Sequence, residues 1–153
     1  VRKAPINYIA TIVFVSLLWI PAAVFIGKYV SENAALARAT PEEFGRVYLI
    51  VMTIGAAAAV VAASHWYWHG AKDSAAAEPR AARRFWSIWL FILIIASVGC
   101  VAGLIVAFLD ERFTAAEYLI MFGCASALTW IPYWLCSMLM SPRGVRPAVY
   151  GMR

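Results

Sequence analysis

Charge is what this chain lacks, over four long stretches. Residues 4–27, 47–71, 85–109 and 118–142 contain no Asp, Glu, Lys or Arg. These stretches are 24, 25, 25 and 25 residues long. The hydrocarbon core of a bilayer is about 30 Å thick, and roughly 20 apolar residues of helix cross it. The pattern predicts an all-α integral membrane protein, a bundle of four transmembrane helices that could be two tandem helical hairpins. Expected spans are about 6–27, 47–69, 85–109 and 117–140, in a single domain over 1–153. The connectors 28–46, 72–84 and 110–117 are too short for a soluble domain.

The same absence narrows the function. Proton-coupled carriers and pumps place ionisable groups inside their spans. No span here holds a carboxylate or an amine. That argues against a small multidrug exporter, which needs a carboxylate in its first helix, and against membrane glutathione-transferase relatives, which carry charged residues within theirs. Cysteine is scarce too. Cys100, Cys124 and Cys136 all fall within spans, and no CxxC pair occurs. Four-helix thiol oxidases need such pairs. An odd count, with none in the outer loops, also excludes a disulfide framework. The chain therefore leans away from enzymes.

Basic residues are unevenly placed. If four spans alternate, Arg2, Lys3, Lys72, Arg80, Arg83, Arg84, Arg143, Arg146 and Arg153 share one side. Lys28, Arg38, Arg46 and Arg112 share the other. The positive-inside rule puts both termini in the cytoplasm, in a bacterial inner membrane. The net charge of +5 lies in short connectors and tails, so no nucleic-acid partner is expected. The first apolar run exceeds the 7–15 residues of a signal-peptide core, and is expected to be a helix.

Local signals punctuate the spans. Thr40-Pro41-Glu42-Glu43 and Thr114-Ala115-Ala116-Glu117 both spell a Thr-x-x-Glu capping box. Pro21 and Pro132 each remove a helix hydrogen bond, which predicts bends about one turn earlier. Trp19 and Trp130 precede them and are expected to pack together. Mid-span hydroxyls are expected to bond a carbonyl one turn back. Ser74 is a candidate cap in the 72–84 loop, read as a solvated hairpin. The tail after Ser141 should be irregular, with its arginines near anionic headgroups.

Small residues recur at helical spacing: Gly55, Ala59 and Ala63; Gly99, Gly103 and Ala107; Gly123 and Ala127. Helices in lipid are held by close backbone approach, so these stripes mark helix–helix faces, either within the bundle or against another subunit. Aromatics crowd the termini side: Trp66, Tyr67 and Trp68; Phe85, Trp86 and Trp89; Tyr133 and Trp134. They read as an interfacial belt. The alternative is an aromatic pocket open to that leaflet.

One constellation could carry chemistry. His65 and His69, four apart, share a helix face and could share a metal. Cys136 could join them only if the helices abut. Ala62-Ala63-Ser64-His65-Trp66 resembles the small-residue, histidine, aromatic pattern of bacterial antenna polypeptides. The resemblance covers five residues and implies that His65 would ligate a haem or pigment. Antenna histidines lie toward the outer face, however, whereas His65 should lie toward the inner one. The plain reading is two interfacial histidines and no cofactor.

Three functions follow as expectations. The first is a non-catalytic accessory or assembly subunit of a larger inner-membrane complex, with membrane lipids, other membrane subunits or a second copy as partners and with bound lipid. The second is a facilitator or pore for a small neutral or lipid-like molecule. The third is a haem- or pigment-bearing membrane anchor using His65.

Overall fold

The computed structural model describes residues 5–70, 78–142, 145, 148 and 149. Four long helices account for most of them, with no strand among the described residues. α1 covers Pro5–Asn33, α2 Pro41–Gly70, α3 Pro79–Ala107 and α4 Ala115–Met140. All four are long and apolar enough to cross a membrane, as an integral membrane protein requires. The termini end of the bundle holds residues 5 and 140; the opposite end holds the connectors 34–40 and 108–114.

All four helices outrun the charge-free stretches, α2 and α4 from their capping boxes and α1 and α3 where no such signal marks it. α1 continues past Gly27 to Asn33, where Ala34 turns extended at ψ 136°. Its extra turns carry a Lys28–Glu32 pair at 3.8 Å, spaced i, i+4. α3 starts at Pro79 rather than near residue 85, so Pro79–Arg84 is helix and not hairpin loop. Charged side chains extend into water from a helix as readily as from a loop. They mark where the apolar surface ends, not where the helix does. Ser74 lies outside the described residues.

α2 and α4 open on complete capping boxes. Thr40 Oγ1 accepts the Glu43 N–H at 3.2 Å, and Glu43 accepts the Thr40 N–H at 3.0 Å. Thr114 and Glu117 repeat the exchange at 3.3 and 2.6 Å. Each box satisfies two backbone donors of the first turn.

The prolines shape α1 and α4 differently. Around Pro21, α1 widens into a π-helical turn over Ile20–Phe25. A wider turn relieves the clash between the ring and the carbonyl four residues back. In α4 the chain leaves helical geometry at Thr129, with φ −105° and ψ −90°, one turn before Pro132. The Thr129 N–H is shared between the carbonyls of Ala125 and Ser126, and its hydroxyl donates to Ala125 at 2.7 Å.

α2 and α4 form the inner diagonal of the bundle. Each packs against all three other helices, whereas α1 and α3 flank them. Half of the most apolar stretch of α4 is buried, against 22% for α1 and α3. Two cores result. The one toward the connectors centres on Phe44, Tyr48, Met52, Leu104, Met121 and Leu128. The one toward the termini centres on Trp66, Tyr67, Trp86, Leu93 and Tyr133. The tail folds back onto this second core, burying Val145, Ala148 and Val149. These three apolar residues thus sit inside the bundle. Arg143, Arg146 and Arg153 lie outside the described residues.

Candidate functional site

The histidine pair sits where α2 ends. α-helix runs to His65, and a π turn over Trp66–Gly70 closes the element. Gly70 is required there, because an added Cβ would run into the Trp66 ring and approach Phe85 at 3.0 Å. The His65 and His69 rings meet edge-on at 4.6 Å. His65 also packs edge-on against Phe85 at 5.2 Å and Trp89 at 5.3 Å. The Trp89 indole N–H donates to His65 Nδ1 at 3.0 Å. An indole N–H can only donate, so Nδ1 carries the lone pair and the neutral ring has its proton on Nε2. A metal or tetrapyrrole on Nε2 would need that proton moved to Nδ1, where it would face another N–H. As placed, the Trp89 bond competes with a ligating role for His65. Cys136 is buried in α4, and no group of three His, Cys, Asp or Glu suited to a metal occurs among the described residues.

The aromatic residues only partly form a rim. Trp66, Trp86 and Tyr133 are fully buried, and Trp86 stacks on Tyr133 at 5.8 Å. Neither a headgroup belt nor an open pocket describes them. Their polar atoms are satisfied inside: Trp66 Nε1 donates to Ser141 Oγ at 2.9 Å, Trp86 Nε1 to Ser137 Oγ at 2.7 Å, and Tyr133 OH to the Trp86 carbonyl at 3.2 Å. The serines of α4 and the returning tail supply partners that allow two indoles to leave the interface. Trp89 and Trp134 are half-buried, and Trp68 is exposed. Trp19 and Trp130 join different cores, and the Trp19 indole donates to Thr53 on α2 at 3.0 Å.

The small-residue stripes divide between inside and outside. Gly55, Ala59 and Ala63 on α2 are buried, and a Cβ on Gly55 would meet Thr129 at 3.0 Å. Gly99, Gly103 and Ala107 on α3 are exposed, as is Gly123 on α4; Ala127 is half-buried. A Cβ on Gly99, Gly103 or Gly123 meets nothing within 4 Å. Most mid-span hydroxyls spend their proton on their own helix, including Thr11, Thr53, Ser87 and Thr129 on the carbonyl four residues back. The buried Ser126 hydroxyl has no hydrogen-bond partner among the described residues.

The opposite end holds a feature that sequence reading passed over. Glu111, in the connector after α3, is 93% buried by residue area (7% exposed). Its carboxylate accepts three successive backbone N–H groups: Ala37, Arg38 at 2.7 Å and Ala39 at 2.6 Å. Such a run of amides makes an anion-binding concavity. The Ala39 amide, with those of Ala37 and Arg38, holds the Glu111 carboxyl below the usual carboxylate range, against an opposing effect of burial. Arg38 and Asp110 add an exposed ion pair at 2.9 Å. Together they clasp the α1–α2 and α3–α4 connectors. Only Asp-Glu next to the end of a span hints at this, and the partner amides lie more than 70 residues away in sequence.

Comparison with known proteins finds no matching family model, curated protein or solved structure.

Proposed function

We propose that this chain is a non-catalytic membrane subunit that docks through α3 onto another membrane-embedded protein, as an accessory or assembly component of a larger complex. The observation that carries this reading is the outward placement of Gly99 and Gly103. Glycine within a helix costs roughly 0.5–1 kcal/mol relative to alanine. On a membrane helix it is useful where a second backbone comes close. The α2 stripe meets that need inside the bundle; Gly99 and Gly103 of the α3 stripe meet no neighbour among the described residues. The absence of charge in the spans agrees with a non-catalytic role. The basic-residue asymmetry supports cytoplasmic termini in a bacterial inner membrane.

Purification from native membranes in a mild detergent tests the proposal. A larger species is expected for the wild type, and Gly103→Leu should release it while the fold persists. A strictly monomeric wild type without a partner would sink it. A second reading, a facilitator for a small neutral or lipid-like molecule, draws on a groove of about 250 Å³ between α1 and α2, lined in part by Ser16, Trp19 and Thr53. Liposome flux would support that reading, and no flux would count against it.

A further inference from the structure

A second groove, of about 400 Å³, lies between α1 and α2 at the connector end. Two facing stripes build it. Along α1 they step from Ala23 and Val24 through Gly27 and Lys28 to Ser31 and Glu32; along α2 they run back from Leu49 through Gly45 to Glu42. Each step is about one helical turn, and the helices are antiparallel, so polarity rises in register on both walls. The deep part is apolar. The middle is opened by two glycines. Lys28 stands beside the middle rung, and the mouth carries Glu32 and Glu42, all beyond the charge-free stretches. A gradient from alkane to mixed charge is that of one phospholipid.

The geometry points to a site for a phospholipid whose head group pairs a phosphate with a primary ammonium. Lys28 suits the phosphate. Glu32 and Glu42 suit an ammonium that can donate hydrogen bonds. A quaternary ammonium has no N–H to give, and none of the lining residues is aromatic, so no cation–π cage replaces those bonds. A purely anionic head group would meet two carboxylates for one lysine. Among the described residues these side chains make only exposed i, i+4 pairs, Lys28–Glu32 at 3.8 Å and Glu42–Arg46 at 3.5 Å. Such pairs are weak and exchange readily for lipid charges. A Cβ on Gly45 would touch Ser31 no closer than 3.7 Å, so a larger side chain can enter the groove there without opening the bundle.

Native mass spectrometry of the full chain, incubated with equal amounts of phosphatidylethanolamine, phosphatidylcholine and phosphatidylglycerol, tests the site. The ethanolamine lipid should be retained over the other two by roughly tenfold, the scale of one strong charge-assisted contact. Glu32→Gln with Glu42→Gln should bring the three lipids to parity, since both side chains are exposed and the fold does not depend on them. Gly45→Leu should abolish the preferred adduct at unchanged helical content. If Gly45→Leu does not fold, the double Gln variant decides. Equal retention by the wild type, or an ethanolamine preference that survives the double substitution, overturns the proposal.

Discussion

A carboxylate seated on three successive amides leaves all three in deficit when it is neutralised. Glu111 is so placed, and Glu111→Gln should lower the melting temperature at neutral pH. Its folded pKa is depressed from 4.5, so its stabilisation is complete above that unfolded value and is lost as pH falls through the folded one. Thermal melts should therefore separate the variant from wild type at pH 7 and bring them together in acid. Gly27 makes a different demand. A Cβ there would lie 2.7 and 2.9 Å from the ring of Tyr48, which is fully buried and donates to the Ala22 carbonyl at 3.1 Å. Gly27→Ala should cost about 1–3 kcal/mol, the usual penalty for overpacking, in a denaturant titration in detergent. At His65 the bond from Trp89 occupies the one free lone pair. Trp89→Phe should release it and strengthen Ni²⁺ binding at the His65–His69 pair by roughly tenfold, the lower range of such neighbour effects. Unchanged Ni²⁺ titrations would mean that the indole does not set the tautomer.

At the scale of the element, capped helix starts were more legible than the other helix limits. A capping box is local: four residues suffice to recognise it, and both boxes close in the fold. Thr114→Ala should cost about 1 kcal/mol and speed hydrogen exchange of the first turn of α4; exchange as slow as wild type would contradict that. The proline effects are also local in origin, although the sequence does not reveal that Pro21 sits in a widened turn while Pro132 follows a break at Thr129. Where α1 ends and α3 begins was not legible. Charge reports the edge of the apolar surface, and both helices continue beyond it. The fate of the tryptophans was hidden for another reason. An indole at the headgroups and an indole in the core look alike in one sequence. Which it becomes depends on distant partners: Ser137 and Ser141 for Trp86 and Trp66, and Val145, Ala148 and Val149, which pack into the same core.

Across the whole molecule, the four charge-free stretches correctly announced four membrane-compatible helices. They did not reveal which helices are inner. That order follows from small side chains: α2 buries its Gly55, Ala59 and Ala63 face and takes the diagonal with α4, and α3 is left on the flank with Gly99 and Gly103 outward. The clasp of Glu111 on residues 37–39 then ties the α1–α2 and α3–α4 hairpins together at the connector end. We propose that a bundle closed in this way, with the α2 stripe used internally, docks through α3. Photocrosslinking in native membranes tests this most directly. A photoreactive residue at position 103 should give a discrete higher-mass adduct, and the same residue at Leu17, exposed on α1, should give none. No adduct at 103, or equal adducts at both positions, would contradict docking through α3.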